Sequence, residues 1–563
     1  MLYFLFIWVI LLVGCASIGI ALLARLSATS LERSHDHWMI SLWLGLITLA
    51  VSFLAASLVI PLSPWVGAIV FGSLIALSLR SKLTRAELRH IASNLNKAVI
   101  LRFFGVAIVV AAITSQPITW VDTGFYHYGI IQWLAQYGTV PGLALLYSPL
   151  GFTSAWFALA APLNPSFFEA RLSAAANGFA ALIFVLHVWS CLTQIRQRQG
   201  TIGDWFIVIT GLFLLPLFLL SKTLQAILVS PSPDLPVVFL IIIAAWSMLI
   251  VGDRRSRLIP LILASGAVTI KLTALPLLMT SSLFFVIGTR RIQQWLIGMA
   301  IVSVILAPLF VSSILTSGCP LYPSTTICFD LPWSPSSSAL QQVANSTHRW
   351  VSWYGTQPAE LNEWLALIWA WLNTARRNQI VVALSVVSVL CLGYFAKHLA
   401  TFPGQGQFWA IATGLSGIGF LTLTSPLLRF QLAYMILIPG LLMAHYCTAI
   451  FRKRISGKPG RNNLVAKRFY LPFSVRLLTL SLMLVVVIQT HAISHIVLPP
   501  RLPNVGVVQK QVNDFVYFYP SNAKNRMCWA APLPCSSIPP TNIRIRDRDQ
   551  GIKGGLIRLQ SQF

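Results

Sequence analysis

The chain has 563 residues, of which 56 % are hydrophobic and only 10 % charged, and its formal net charge is +26. Soluble domains carry about 25 % charged residues, so this composition excludes a soluble globular class and reads as a polytopic membrane protein. The positive charge does not mark a nucleic-acid binder, because the basic residues fall in short loops between apolar runs, where they set orientation.

Apolar runs predict about fourteen spans, near residues 3–24, 39–60, 63–79, 99–115, 168–192, 204–221, 235–251, 257–270, 273–288, 293–312, 379–396, 407–425, 431–450 and 474–493. Residues 1–25 lack a basic start and their apolar run is too long for a signal peptide, so they read as a retained span. Three segments follow from this pattern. Residues 1–97 hold the first spans and a basic inner loop. Residues 98–493 form the main membrane module, with outer loops 116–167 and 313–378. Residues 494–563 are an outer tail rich in Pro and Arg.

The stretch Trp120–Phe157 breaks the apolar pattern. A lone acid, Asp122, precedes Tyr126, His127 and Tyr128. The spacing then predicts a short amphipathic helix over Gly124–Tyr137, with Trp133 on it. Turn residues Gly138, Pro141, Gly142 and Pro149 lead into Leu150–Ala161, an apolar segment too short to span a bilayer. An ordinary surface loop and an active-site loop are both open readings of this stretch.

Loops 80–97, 193–203, 252–257 and 451–476 carry most of the basic residues. They share one side of the membrane only if Leu150–Ala161 does not cross, which argues for a re-entrant or interfacial segment. This arrangement places both termini, Asp122, loop 313–378 and the tail on the outer side. Cys319, Cys328, Cys528 and Cys535 all fall there, in two close pairs. Oxidising compartments favour disulfides, so Cys319–Cys328 and Cys528–Cys535 are expected, with four free thiols as the alternative. No pair has the CxxC spacing of a metal site.

With only 14 acidic residues, all can be sorted. Glu32, Asp36, Glu87, Asp204 and Asp253 read as inner loop charges. Asp122, Glu169 and Asp234 stand at the outer ends of spans, where a carboxylate is costly and has a partner or a task. Asp234 lies in the rigid turn SPSPDLP (residues 230–236) and reads either as a first-turn helix acid or as a second active-site acid that helps to hold a metal or the acceptor. Lys271, Arg429 and Arg171 are cations at similar depth, suited to a phosphate or to snorkelling. No HExxH, P-loop, GxSxG or dinucleotide fingerprint appears.

At these residues the chain resembles the GT-C superfamily of multi-spanning glycosyltransferases, which includes protein O-mannosyltransferases and the lipid A aminoarabinose transferase. Those enzymes place an Asp at the start of the first large outer loop, then interfacial helices, a Pro-Leu-aromatic segment and an Arg-Leu. The counterparts here are Asp122, Gly124–Tyr137, residues 148–150 (SPL) and Arg171-Leu172, with Asp234 as the second outer Asp. Where some members carry a Lys before Pro-Leu, this chain has Ser148, so Lys271 or Arg429 would bind phosphate. The chain also looks like an uncharacterised family of bacterial membrane proteins, through DTGFYH, LGFTSAWF, SPSPDLP, IKLTALP, SGCPLYPS, LLRF and CWAAPLPC.

The resemblance implies an all-α, GT-C-like polytopic protein of the bacterial inner (plasma) membrane. It implies a polyprenyl-phosphate-linked sugar as donor, an envelope acceptor, and a divalent cation, Mg or Mn, held by Asp122 and Asp234. Asp122 and Asp234 would be catalytic. Lys271, Arg429 and Arg171 would bind donor phosphate, and Tyr126, His127, Trp133 and Tyr322 would line the substrate path. A transporter or flippase for lipid-linked sugars, or a non-catalytic partner, is the alternative.

Overall fold

A computed structural model describes residues 1–26, 31, 33–168, 170–171, 174–289, 291–355, 359–397, 404–456, 495–522 and 526–559. The molecule is mostly helical. Helices stand at every predicted span except the last, near 474–493, which lies outside the described residues. Among the described residues, eight helices are long and apolar enough to cross a membrane, and a ninth results if Pro64–Leu79 and Lys82–Asn94, bent by 98°, count as one span.

The described residues thus meet the expected fourteen spans in part, and the last of the fourteen lies outside them. Asp234–Ile250, Leu258–Ile270 and Leu275–Ile287 are apolar but short. Every residue of Leu258–Ile270 is buried by protein, and so are those of Asp234–Ile250 through Met248. An apolar run that faces protein reads in the sequence like one that faces lipid.

Leu2–Leu26 crosses Ser34–Ser57 at very close range. A Cβ built on Gly19 would overlap the Ser41 carbonyl oxygen, and one on Gly45 would overlap that of Cys15. Small residues let membrane helices pack backbone to backbone in this way. The first helix also joins the rest through Trp8, whose indole N–H donates to the Ala175 carbonyl at 2.9 Å. One continuous core includes Trp8, Trp43, Phe239, Tyr434, Tyr517 and Leu556.

Leu150–Ala161, expected as a re-entrant or interfacial segment, falls in two short helical turns, Ser148–Gly151 and Ala155–Ala160. Residues 155–161 are at most 1 % exposed, so the segment is enclosed by protein. Ser154 ties it down, donating to the Ile270 carbonyl at 2.8 Å. Irregular backbone at membrane depth is tolerated where protein surrounds it. Loop 313–378 is largely ordered into Ser337–Thr347, Arg349–Tyr354 and Leu361–Thr374.

The tail departs from the all-α expectation. Val507–Val512 and Phe515–Pro520 form an antiparallel hairpin, and Ile543–Ile545 pairs with Leu556–Arg558. Asn513 takes a left-handed φ of 54° in the two-residue turn, a geometry that Asn tolerates and that matches strand twist. Both expected disulfides, Cys319–Cys328 and Cys528–Cys535, are present.

The Gly19–Gly45 crossing has a direct consequence. Gly45→Leu should lower stability by roughly 1–3 kcal/mol or more, since an overpacked backbone contact cannot relax by rotamer change. Thermal unfolding of the detergent-solubilised protein reads this, with Gly72→Leu, which has open space around its Cβ, as the control.

Candidate functional site: a four-residue ionic cluster

Four chain segments deliver one cluster of charge. Asp122 precedes a short π-helical turn, Thr123–His127, which runs into the amphipathic helix Tyr128–Gln136. Asp234 opens Asp234–Ile250, where the helix N-terminus favours a carboxylate. Lys271 stands in extended conformation at the break after Leu258–Ile270, at a helix C-terminus that favours a cation. Arg429 is the second residue of Leu428–Ser456. Its position near a helix N-terminus is unfavourable for a cation on its own, so it depends on the acids facing it.

Arg429 bridges both acids. Its Nη1 is 3.4 Å from Asp122 Oδ2 and its Nε 3.6 Å from Asp234 Oδ2. Lys271 Nζ makes a close ion pair with Asp234 Oδ1. Aromatic faces complete the enclosure: Lys271 Nζ lies 3.9 Å from the Phe430 ring centre, and Arg429 lies 4.8 Å from those of Phe430 and Trp120. The Asp234 side chain is 5 % exposed and that of Asp122 31 %. Asp234 is thus the acid that fixes the cations, and Asp122 is the one that a ligand can reach. Burial pushes the Asp122 carboxyl above the ordinary carboxylate range, with Arg429 pulling it back.

Hydrogen bonds fix the framework behind the cluster. Asn177 donates to the carbonyls of Ile227 at 3.2 Å and Ser232 at 3.0 Å, and so fixes the turn that presents Asp234. Tyr434 donates to the Thr273 carbonyl at 2.9 Å, locking the Arg429 helix to the Lys271 break. Arg349, at the start of Arg349–Tyr354, is a third cation whose charge acts on Asp122. Its helix is anchored by Trp350, which donates to the Thr422 carbonyl at 2.7 Å. The sequence reading passed over Trp120, Phe430, Asn177 and Arg349. The first two flank Asp122 and Arg429 in the chain, whereas nothing local marks Asn177 or Arg349.

Other expected site residues fall elsewhere. Tyr126 and His127 sit behind Asp122 in an aromatic row, Tyr126–His127 at 4.5 Å and His127–Phe157 at 5.1 Å. Burial lowers His127 to about 3, so the ring is neutral. Tyr322 is 4 % exposed; its hydroxyl donates to the Ser148 carbonyl at 2.9 Å, which binds loop 313–378 to the re-entrant segment. Trp133, expected to line the path, is 1 % exposed and belongs to the core, because the apolar face of its helix turns inward. Arg171, expected on phosphate, instead donates to the Pro499 carbonyl at 3.2 Å. Asp36 and Asp204, expected as loop charges, are 4 % and 1 % exposed and lie in a second polar cluster.

The two acids do not make a divalent-cation site. The gap in which a shared ion would sit is filled by the Arg429 guanidinium, and Lys271 occupies the other oxygen of Asp234. Among the described residues the group of three or more metal-capable side chains is His35, Cys191 and Asp204, away from this cluster.

The C-terminal segment forms a cap on the turn that follows Asp122 and on the loop after it. The Trp529 N–H donates to the Gly124 carbonyl at 2.9 Å, and a Cβ at Gly124 would lie 2.6 Å from the Trp529 ring. Leu556 N–H donates to the Pro141 carbonyl at 3.0 Å and Ser536 Oγ to that of Leu146 at 3.0 Å.

Fold and site together define a helical membrane protein with a shielded carboxylate–cation cluster at one end of its bundle. The chain belongs to the family of the Domain of unknown function DUF8201, whose model matches residues 1–436. No curated protein and no solved structure matches it. The family match takes in the first helices together with all four cluster residues and ends before the cap.

Removing one partner of a buried ion pair strands the other. Lys271→Met should therefore destabilise the protein by about 3 kcal/mol, the low end of that effect because Arg429 remains. Adding Asp234→Asn to Lys271→Met should recover part of the loss. A double-mutant cycle on thermal unfolding measures this coupling, and additive losses would show that the pair is not coupled.

Proposed function

We propose that the chain is a membrane glycosyltransferase of GT-C type, moving a sugar from a polyprenyl-phosphate donor to an envelope acceptor at the outer face of the bacterial inner membrane. The observation that carries this reading is the convergence of a reachable acid, Asp122, with cations held in place by a buried acid, Asp234. The outer placement rests on the basic loops 80–97, 193–203 and 252–257 lying at the other end of the helices. Two disulfides near the cluster's end of the bundle suit an oxidising side.

In this mechanism the acceptor hydroxyl attacks the anomeric carbon of the donor. Its proton passes to the Asp122 carboxylate. The bond from the anomeric carbon to the phosphate oxygen breaks with inversion, and the electron pair leaves on the phosphate. Lys271 and Arg429, with Arg349 beside them, stabilise that charge. Arg429 grips two oxygens at once, and Lys271 acts as a point charge. The cations supply the electrostatics, and no metal step is needed.

The test is sugar release from a panel of radiolabelled polyprenyl-phosphate sugars by purified protein. Asp122→Asn should keep the fold and lose at least about 100-fold in rate; normal transfer by the folded variant would remove Asp122 from the mechanism. EDTA should leave transfer unchanged. Equal donor binding by both proteins without turnover would favour a transporter, a flippase or a non-catalytic partner.

A general base works only when deprotonated. Burial raises the Asp122 carboxyl, so transfer should fall on the acid side at a higher pH than an ordinary aspartate would give. The pH profile of kcat/KM reads this.

A further inference from the structure

Within loop 313–378 the helix Leu361–Thr374 has 14 residues, about 20 Å of rise, which is too short to span a bilayer. An apolar helix of that length belongs either to a buried core or to an interface. Two of its faces are apolar. Trp364, Leu367, Ile368 and Trp371 point inward and join a small core with Trp350, Val381, Leu428 and Met435. The Trp350 ring lies 5.6 Å from that of Trp364 and 5.6 Å from that of Trp371. Beside this face runs a second apolar stripe. Leu361, Leu365 and Trp369 recur at helical spacing and so share one side of the helix. They are 74 %, 58 % and 69 % exposed. Glu363, Ala370 and Thr374 are exposed on the far side. A helix of the buried core would not leave such a stripe open.

The neighbouring chain shows what meets the stripe. The helix ends at Ala375, which is extended, and Arg376–Lys397 begins at the next residue. Residues 376–395 have the length and composition of a membrane span. That span turns Ile380, Val386, Val389 and Leu390 outward, a surface that meets lipid in a membrane helix. Asn378 donates to the Trp371 carbonyl at 2.7 Å and so ties the end of the short helix to the start of the span. The open stripe therefore continues into a lipid-facing surface. Arg376 and Arg377, both exposed at the junction, complement the charge of lipid phosphate. Trp, which stands in the stripe, is enriched where membrane meets water.

We propose that Leu361–Thr374 is seated in the membrane–water interface, with Leu361, Leu365 and Trp369 among lipid acyl chains and Glu363, Ala370 and Thr374 toward water. The partner is bilayer phospholipid, and the helix lies along the boundary of headgroups and acyl chains. The seat bears on the ionic cluster through packing. Trp350 follows Arg349, and Leu428 precedes Arg429, so the seated helix braces two of the cluster's cations. The seat does not rest on the glycosyl-transfer reading, and its test needs no activity.

The test uses the full chain in vesicles of phosphatidylcholine and phosphatidylglycerol. Cys391→Ala and Cys447→Ala remove the half-buried free thiols, while Cys15 and Cys191 are buried. In that background Leu361→Cys, Leu365→Cys, Trp369→Cys, Glu363→Cys and Ala370→Cys each carry a nitroxide label. All five positions are exposed, so the labels leave the core untouched. Relaxation of the label by oxygen, which concentrates in lipid, is compared with relaxation by a water-soluble nickel chelate. The oxygen-to-nickel ratio should be severalfold higher at the three stripe positions than at Glu363 and Ala370. Equal ratios on the two sides overturn the proposal and place the helix in water. Low access of both reagents to the stripe also overturns it, because protein, from a second copy or another chain, would then cover those residues.

Discussion

The bridging of Asp122 and Asp234 by Arg429, with Lys271 on the second oxygen of Asp234, is the interaction on which the rest of the arrangement depends. Charges at membrane depth are costly unless they are paired. Each member here would be unfavourable alone, and Arg429 doubly so at a helix N-terminus. Together they satisfy one another, and the aromatic faces of Trp120 and Phe430 cover the cations where solvent would otherwise be needed. The cluster also joins four segments that are distant in sequence, so it fixes the mutual placement of the π-turn, the Lys271 break and two helix starts.

The cap and the re-entrant segment act on the same region from opposite sides. Ser154 holds Ala155–Ala160 against the end of Leu258–Ile270, one residue before Lys271. Trp529 presses on Gly124, two residues after Asp122. The Cys528–Cys535 link closes the turn that carries Trp529. The acid a ligand can reach is therefore set on a short helical element clamped from above and below. The acid a ligand cannot easily reach is set at the start of a helix buried from Asp234 through Met248. That division of exposure leaves Asp122 the accessible acid and Asp234 the enclosed one.

Much of this was legible in the sequence because acids are so few. Sorting 14 of them by position leaves Asp122, Asp234 and Glu169 at the outer ends of spans, and apolar run length placed the helices that flank them. Pairing was not legible. Lys271 and Asp234 are 37 residues apart and Arg429 and Asp122 307 apart, and no local pattern encodes such a meeting. Arg171 and Trp133 were read by depth and chemistry alone, which do not encode direction: Arg171 donates to the Pro499 carbonyl, and Trp133 turns inward. In the tail the alternation of Phe515–Pro520 and the Asn513-Asp514 turn were visible hairpin signals, outweighed by the helical character of everything before them. The burial of Asp36 and Asp204 was not legible, because each stands near the start of an apolar run and the residues that cover it come from elsewhere in the chain.

Helix length explains why the cluster can exist at that depth. Leu258–Ile270 and Leu275–Ile287 have 13 residues each, or about 20 Å, against a hydrocarbon core of about 30 Å. Ile292–Ser317, with 26 residues, is long enough to cross that core with some tilt. A bundle that mixes the two lengths leaves the ends of the short helices within the hydrocarbon thickness unless other segments cover them. Lys271 lies at the broken junction between them, and Ser154 ties Ala155–Ala160 to the Ile270 carbonyl beside it. The ion pair with Asp234 and the Phe430 face cover that cation where water would otherwise be needed, so the short helices and the charge cluster are one structural solution.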